Sequence, residues 1–187
     1  MAGEHLGTFP GTSGLGKLPD AQYRAERENY NSGDSVHRVA VGADHGGFAR
    51  KAALIACLEQ KGYSVTDVGT YNAEEKVDYP DYALRVANAV RTGDCDRGIM
   101  IDAAGIGSSM VCNKVRGIRA ALCYSRETIM NSRQHNNANV LTLGARFHEA
   151  DEMCELAALW LETKFEGGRH WPRINKMMAT ERGRYST

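Results

Sequence analysis

From Arg38 onwards, the sequence alternates between short apolar runs and longer amphipathic stretches. The short runs are rich in aliphatic and β-branched residues, which is typical of buried strands. The longer stretches repeat apolar residues with the period of a helix, as in FARKAALIACLEQKG, which Gly62 closes. Five runs have the strand pattern: RVAVGA, YSVTDVG, RGIMID, IRAALCY and NVLTLG. Because strands joined by helices form a parallel sheet covered on both faces, we predict a three-layer, Rossmann-like α/β/α sandwich with a five-stranded parallel sheet.

Residues 1–36 differ in composition from the rest of the chain. Clusters of Gly, Ser, Pro and Asn surround one short polar helical stretch, which is typical of an extension rather than a domain. Within it, residues 11–17 (GTSGLGK) imitate a phosphate-binding P-loop, but Leu18 stands where Ser or Thr would bind magnesium, and Pro10 precedes the stretch instead of a strand. We therefore predict an N-terminal arm over residues 1–36 and one domain over residues 37–187.

Charge and cysteine content argue against several classes of protein. Lys plus Arg and Asp plus Glu both total 23, so no overall imbalance favours nucleic acid or a membrane surface as a partner. The five cysteines are odd in number and lack CxxC spacing, which predicts neither a disulfide framework nor a zinc site. No apolar run approaches the ~18 residues needed to span a bilayer, and the first residues lack the apolar core of a secretion signal. We expect a cytoplasmic protein.

The stretch over residues 97–113, RGIMIDAAGIGSSMVCN, is the best candidate for the chemistry. An apolar strand ends at Asp102, and the loop that follows contains Gly105 and Gly107, where the backbone can approach a ligand closely. Backbone N–H groups at the start of the next helix favour a phosphate, a carboxylate or a developing enediolate. The spacing is weak evidence for a dinucleotide site, because Met110 replaces the third glycine. An anionic substrate or intermediate is the first expectation.

Polar residues that directly follow parallel strands meet along one edge of the sheet, where ligands bind. The candidates are Asp44 and His45 after the first strand, Asp102 at the end of the third, and Arg146 after the fifth. His135 and Asn136 precede the fifth strand and need tertiary folding to join them. A helix cap beside a hydrogen-bonded histidine is the ordinary alternative for Asp44 and His45, and the spacing of these residues does not demand a metal.

A last polar group lies in FEGGRHWPR. Arg169 and Arg173 share a face if this segment is helical, and with His170 they would hold a phosphate through several charged hydrogen bonds. Pro172 leaves the helical register open, and a solvated tail is the alternative.

Taken together, these motifs resemble the ribose-5-phosphate isomerase B and galactose-6-phosphate isomerase family over about residues 38–180. The matching motifs are GADHGGF, DYPDYA, AGIGSSM, SRQHNNANVLTLGARF and FEGGRHWPR, in the family's order and spacing. The resemblance implies a homodimer or higher oligomer with active sites shared between subunits, and no cofactor. It also implies aldose–ketose interconversion of a phosphorylated sugar by proton transfer through an enediol intermediate.

The resemblance also implies roles for individual residues. Asp44 would hydrogen-bond sugar hydroxyls, His135 would assist ring opening, and Tyr79 of DYPDYA would contact the substrate. The intermediate's oxygens would be held by Asn136 and by the amides of Gly105, Ile106, Gly107 and Ser108. The phosphate would be bound by His45, Arg146, Arg169 and Arg173, with His170 nearby. Clustered guanidinium groups suit a dianion, and loop N–H groups suit an enediolate, so the chemistry supports these roles independently.

The chain departs from the family at the catalytic positions. Many members carry a cysteine followed by Gly-Thr-Gly where this chain has Asp102, Ala103, Ala104 and Gly105, and another branch uses a glutamate at the position of Ser108. Our first hypothesis is that Asp102 is the base, because crowding near Asp44 in a partly dry cleft would raise one carboxyl pKa from ~3.9 toward neutrality. A substrate with little cyclic form, such as a tetrose phosphate, would make the missing threonine hydroxyl at Ala104 less costly.

Two other hypotheses account for the missing base. In one, the chain is an inactive subunit that needs a homologous partner, as in the two-subunit galactose-6-phosphate enzymes. In the other, it is a sugar-phosphate-binding or regulatory module that kept the anion site and lost catalysis.

Overall fold

Residues 36–181 are the part of the chain that the computed structural model describes. The strands are β1 (Arg38–Ala43), β2 (Ser64–Asp67), β3 (Arg97–Asp102), β4 (Ala120–Leu122) and β5 (Val140–Gly144). The helices are α1 (Phe48–Gln60), α2 (Tyr79–Thr92), α3 (Ile106–Cys112), α4 (Arg126–Gln134), α5 (Ala150–Glu162) and α6 (Trp171–Glu181), the last preceded by a 3₁₀ turn (Gly168–His170). The P-loop-like stretch and almost all of the predicted arm lie outside the described residues.

All five strands are parallel and lie in the order β2-β1-β3-β5-β4, with helices on both faces. The predicted three-layer sandwich around a five-stranded parallel sheet is therefore confirmed. From β1 the chain moves outward to β2, then crosses back to β3 on the other side of β1. The carboxyl ends of β1 and β3 consequently form a topological switch point, where open α/β sheets bind their ligands.

The sheet is buried on both faces because successive side chains of each strand enter different clusters. Ile99 packs into the core on one face, with Trp160 of α5, whereas Met100 packs on the other face against Val86 of α2. All four side chains are fully buried, and each contributes roughly 1.5–3 kcal/mol from removal of apolar surface from water. This two-sided burial explains why the strand runs are continuously apolar rather than alternating.

Helix α2 includes Pro80 in its first turn, where a proline lacks only an N–H that has no intrahelical acceptor. Helix α6 was not predicted beyond the Arg169–Arg173 segment. Its buried residues are Ile174 and Met178, which are spaced one turn apart and are the signal that would have revealed it.

The structure corrects the cysteine prediction. Cys57 of α1 and Cys154 of α5 form a disulfide, with their Cα atoms 6.2 Å apart, although no disulfide framework was expected. Spacing cannot reveal this pair, because 97 residues separate the two cysteines and only the packing of α1 against α5 brings them together. Cys112 and Cys123 are buried thiols, as expected for small core residues. Within residues 36–181, no helix has the length and apolar content needed to cross a bilayer.

Candidate active site

The carboxyl ends of β1 and β3 bring Asp44 and Asp102 side by side. Ala43 pairs with Ile101 in the parallel register, and the Asp44 amide donates to the Ile101 carbonyl at 3.2 Å. Arg146 lies beside them, since its amide donates to the Ala103 carbonyl at 3.2 Å and its side chain is exposed. The strand-end rule therefore placed these three residues at one edge of the sheet.

His45 and Tyr79 join this edge through the segment before α2. The Nδ1 atom of His45, an exposed residue, lies 3.2 Å from the Val77 carbonyl oxygen and 3.3 Å from the Val77 amide. The Tyr79 ring covers the loop after β3, because a Cβ atom at Gly107 would come within 2.6 Å of the ring. We call Asp44, His45, Tyr79, residues 102–108 and Arg146 the strand-end group.

Asp102 is buried and its carboxylate is fully occupied by its own loop. Oδ1 accepts hydrogen bonds from the amides of Ala104, at 2.7 Å, and Gly105, while Oδ2 accepts from the Ser108 amide at 3.2 Å and from the Ser108 hydroxyl. A carboxylate has about four lone-pair sites, so four donors saturate it. In this conformation Asp102 holds the loop in shape and has no acceptor site left for a substrate proton.

Asp44 differs from Asp102 in its hydrogen-bond partners. Its Oδ1 accepts a hydrogen bond from the Gly47 amide at 2.9 Å, and the Gly46 amide also stabilises the carboxylate. Burial raises the pKa of the Asp44 carboxyl and the Asp102 charge adds to this, against the lowering effects of the Gly47 amide and His45. The expectation that crowding raises the pKa of one carboxyl of the pair therefore applies to Asp44.

The loop after β3 keeps two amides available. The amides of Gly105 and Ser108 are bound to Asp102, whereas those of Ile106 and Gly107 have no acceptor among the described residues. Gly105 is required at its position, because φ is 77° and a Cβ atom would come within 2.6 Å of Leu122. Of the amides expected to hold the intermediate, Ile106 and Gly107 are thus the two that the loop leaves open.

Tyr124 is a site residue that sequence reasoning missed. Its hydroxyl donates to the Ala104 carbonyl at 2.9 Å, and its ring packs edge-on against Phe147 with centroids 5.1 Å apart. Burial and the Asp102 charge raise the pKa of this phenol, so it stays a neutral donor. The signal was present, since Tyr124 follows β4 almost directly and strand-end residues were the ones selected as candidates.

His135 and His170 form a second group, at the end of α4 and before α6. Their rings are stacked with centroids 4.3 Å apart, and the Nε2 atoms lie 3.6 and 3.7 Å from the same Glu166 carboxylate oxygen. Asn136 donates to Asn131 Oδ1 at 3.2 Å, and Asn131 Nδ2 lies 2.8 Å from His135 Nδ1. This chain of contacts orients the His135 ring, and neither Glu166 nor Asn131 was predicted.

Arg169 and Arg173 complete this second group. Arg173 Nη1 donates to the Arg169 carbonyl at 3.4 Å, so the two residues lie one turn apart, and both side chains are exposed. Burial lowers the pKa of His170, and the positive charges of His135, Arg169 and Arg173 lower it further. The segment thus concentrates positive charge. We call His135, Asn136, Glu166, Arg169, His170 and Arg173 the histidine group.

The histidine group contains a set of side chains with the composition of a metal site. Possible ligand atoms of His135, Glu166 and His170 all lie within 4.8 Å of one another. However, imidazole lone pairs lie in the ring planes, and these planes are only 10° from parallel. The two rings cannot both point at one ion at the ~2.0–2.1 Å bond length that zinc requires unless one of them turns. The arrangement therefore suits a stack that shares a carboxylate.

The two groups lie at opposite edges of the sheet within one chain. The strand-end group follows the carboxyl ends of strands, whereas α4 and α5 each return the chain to the amino edge before residues 135 and 166. The Glu166 amide donates to the Gln134 carbonyl at 3.0 Å, which ties these segments together at that edge. No hydrogen bond, ion pair or ring contact described for residues 36–181 joins the groups. The single cluster expected from the sequence therefore does not form within one chain.

A groove of about 670 Å³ runs beside β4, the outermost strand on its side of the sheet. It is lined by residues of β4, α3, α4 and α6, including Asn113, Leu122, Asn131, Asn136 and Met177. The groove therefore opens next to the histidine group rather than at the strand-end group.

Comparison with known proteins assigns the chain to a family. The model of the ribose/galactose isomerase family matches residues 39–177. The chain belongs to this family. Ribose-5-phosphate isomerase B of Escherichia coli (strain K12) is 41% identical over 149 residues, which cover 80% of this chain and 99% of that protein.

Solved structures of the ribose/galactose isomerase family agree with this assignment. Ribose-5-phosphate isomerase B of Clostridium thermocellum superposes with a TM-score of 0.76 at 43% identity, covering 79% of this chain and 99% of that one. The Mycoplasma genitalium ribose-5-phosphate isomerase B with bound ribulose-5-phosphate gives a TM-score of 0.74 at 39% identity, covering 78% and 97%. The resemblance inferred from the motifs is confirmed, and the chain is a sugar-phosphate isomerase of the aldose–ketose type.

Proposed function

We propose that this isomerase interconverts an aldose phosphate and a ketose phosphate of four or five carbons through an enediolate, in active sites completed by two copies of the chain. The observation that carries the proposal is the separation of the strand-end group from the histidine group at opposite edges of the sheet. Each group holds only part of the expected chemistry, so a two-fold dimer in which they face each other would complete two identical sites.

The strand-end group supports the proton-transfer part of the site. The open amides of Ile106 and Gly107 are available to a developing oxyanion, and the Tyr79 ring covers the loop that carries them. Asp44 and Asp102 are the carboxylates in reach of this loop. Asp102 stays a candidate base only if the loop releases one of its four hydrogen bonds when substrate binds.

The histidine group supports ring opening and phosphate binding. The amide of Asn131 donates to Nδ1 of His135, which leaves Nε2 to carry the proton and to donate it to a ring oxygen. The exposed guanidinium groups of Arg169 and Arg173 are adjacent and suit a phosphate dianion. Arg146 of the strand-end group would meet the same phosphate from the other subunit.

The relatives and the sequence favour different sugar lengths. The similar proteins are named for ribose-5-phosphate, and one was solved with bound ribulose-5-phosphate. The alanine at position 104, where the family pattern has a threonine for ring handling, instead favours a substrate with little cyclic form, such as a tetrose phosphate. Assaying ribose 5-phosphate and erythrose 4-phosphate side by side, with six-carbon sugar phosphates included, decides between them.

The shared site is tested by mixing two inactive variants. Asp44→Asn disables the strand-end group and Arg169→Ala disables the histidine group, so each homodimer alone should have little activity. After unfolding and refolding the two together, half of the dimers are mixed, and each mixed dimer has one intact site of two. The mixture should therefore recover about a quarter of wild-type activity. Refolding each variant with itself is the control, and no recovery in the mixture would contradict a shared site.

Three further expectations remain proposals. The domain boundary at residue 37 would be tested by truncation, and the cytoplasmic location by cell fractionation. The alternative of an inactive binding subunit would gain support if the purified chain bound sugar phosphates without exchanging their carbon-bound hydrogen for solvent deuterium.

A further inference from the structure

We propose that Asp44, rather than Asp102, accepts the carbon-bound proton of the substrate in this enzyme. The inference rests on the proposed function, because it assigns a residue to the proton transfer that an aldose–ketose isomerase carries out. It starts from Asp102 and Ser108, which the resemblance puts at the family's thiol and glutamate positions and which hydrogen-bond to each other.

Acceptor capacity separates the two carboxylates. Asp102 receives four hydrogen bonds from its own loop, and releasing one would leave a buried amide or hydroxyl of the loop without a partner. Asp44 receives fewer, from the Gly47 amide at Oδ1 and more weakly from the Gly46 amide. Its Oδ2 is the carboxylate oxygen at this edge that can take a proton without dismantling the loop.

Two glycines shape the turn around Asp44. A Cβ atom at Gly46 would lie 3.3 Å from Asp44 Oδ1 and 4.0 Å from Oδ2, so glycine at this position removes the atoms that would crowd the carboxylate. Gly47 is equally constrained, because its Cβ atom would come within 2.5 Å of the Ile101 carbonyl oxygen. The tight turn therefore fixes Asp44 against β3 without a neighbouring side chain crowding its carboxylate.

The charges around Asp44 favour a base of useful strength. Asp102 faces it from the end of β3, His45 faces it from its own turn, and the side chain of Asp44 is only 7% exposed. Burial and the Asp102 charge raise the pKa of Asp44 above its ordinary value, and a carboxylate becomes a better proton acceptor as its pKa approaches the working pH. Perturbation of this kind is common among catalytic carboxylates.

The proton transfer balances without any added reagent. Asp44 Oδ2 takes the proton from C2 of the open-chain aldose, the C–H electron pair becomes the C1=C2 double bond, and the carbonyl π pair moves to O1. The hydroxyl proton of O2 then moves to O1. The protonated Asp44 returns its proton to C1, the double-bond pair forms the new C–H bond, and O2 becomes the ketose carbonyl.

The test compares two matched substitutions, Asp44→Asn and Asp102→Asn, in D₂O with ribose 5-phosphate and erythrose 4-phosphate. We expect Asp44→Asn to lower kcat about 10²–10⁴-fold and to abolish deuterium incorporation next to the carbonyl. Binding of the corresponding phosphorylated sugar acids should change less than about threefold, because neither the loop nor the phosphate site is altered. Asp44→Glu should restore part of the exchange.

Asp102→Asn should behave differently, because it loosens the loop without removing the base. Its KM should rise and deuterium incorporation should persist. The decrease of kcat/KM at acid pH should also remain.

Measurements of stability test whether Asp44 has only a structural role. Because the pKa of Asp44 is raised in the folded state, ionisation of this carboxyl lowers the free energy of unfolding as pH rises through that pKa. Asp44→Asn should therefore be at least as stable as wild type at pH 7, and it should lose this advantage at acid pH.

Two results would contradict the role of Asp44 while leaving the proposed function in place. One is persistent deuterium exchange in Asp44→Asn, and the other is loss of exchange in a folded, ligand-binding Asp102→Asn chain. If wild-type protein exchanges no deuterium with any of the sugar phosphates, the proposed function and this assignment fall together.

Discussion

Replacing Asp102 by asparagine removes the acceptor that organises the loop after β3. Asparagine keeps one acceptor oxygen, which can still serve the amides of Ala104 and Gly105. The other oxygen becomes an amide donor that faces the Ser108 amide, so a buried N–H loses its partner, while the Ser108 hydroxyl can rotate to accept. A hydrogen bond to a charged group contributes about 1.5–3 kcal/mol, and a buried unsatisfied donor costs about 1–3 kcal/mol.

We therefore expect Asp102→Asn to lower the free energy of unfolding by about 2–4 kcal/mol. Urea unfolding measures this directly, and the melting temperature should fall by about 4–16 °C, since 1 kcal/mol shifts a domain of this size by about 2–4 °C. The matched control is Asp94→Asn in an exposed turn, where the carboxylate accepts from the Thr92 hydroxyl at 2.6 Å. That change should stay within the ~0.5 kcal/mol typical of surface substitutions.

If Asp102→Asn unfolds with nearly the wild-type free energy, as Asp94→Asn should, the carboxylate is not what holds the loop. The argument that saturation prevents Asp102 from acting as the base would then lose its foundation. An equal loss in both variants would instead indicate a general effect of removing an acidic charge, because the two sites differ in burial but not in the chemistry of the change.

Three further predictions concern the histidine group and the disulfide. Arg169→Ala should weaken ribose 5-phosphate binding about 10- to 100-fold by calorimetry through loss of a charged donor, whereas Arg91→Ala on the exposed face of α2 should not. Cys57→Ser should lower the free energy of unfolding by about 2–4 kcal/mol in oxidising buffer only, because the bridge links residues 97 apart. Since the pKa of His170 is lowered, wild-type stability should fall as pH drops below 6.5, and His170→Gln should reduce that slope.

The sheet could be predicted from the sequence because its signal is local. Strands β1, β3 and β5 are buried on both faces, so each is a nearly continuous apolar run, and the helices that join the strands repeat apolar residues with helical spacing. Helix α6 gives a weaker signal, because Pro172 lies in its first turn and its buried residues are only Ile174 and Met178. The pairing of Cys57 with Cys154 depends on the packing of two distant helices, which no spacing encodes.

The strand-end group could be predicted because the carboxyl ends of parallel strands always lie at one edge. The same rule covers Tyr124, an uncharged residue that follows β4 and was not among the predicted site residues. His135 and Arg169 follow helices instead of strands, and a helix in this fold returns the chain to the amino edge. The topology therefore places them away from Asp44 and Asp102, which makes a second copy of the chain the natural source of the missing half.

The resemblance implies an aspartate at position 102 where many relatives carry a thiol, and that exchange would change more than one residue's role. A carboxylate at the start of a loop attracts the loop amides, which are its nearest donors, and once four donors have bound it becomes a structural anchor. Its charge nevertheless persists and acts on Asp44 across the gap between β1 and β3, where it helps to raise the pKa of that carboxyl. In our proposal, the aspartate that the resemblance puts in place of the family's thiol therefore also strengthens Asp44 as a base.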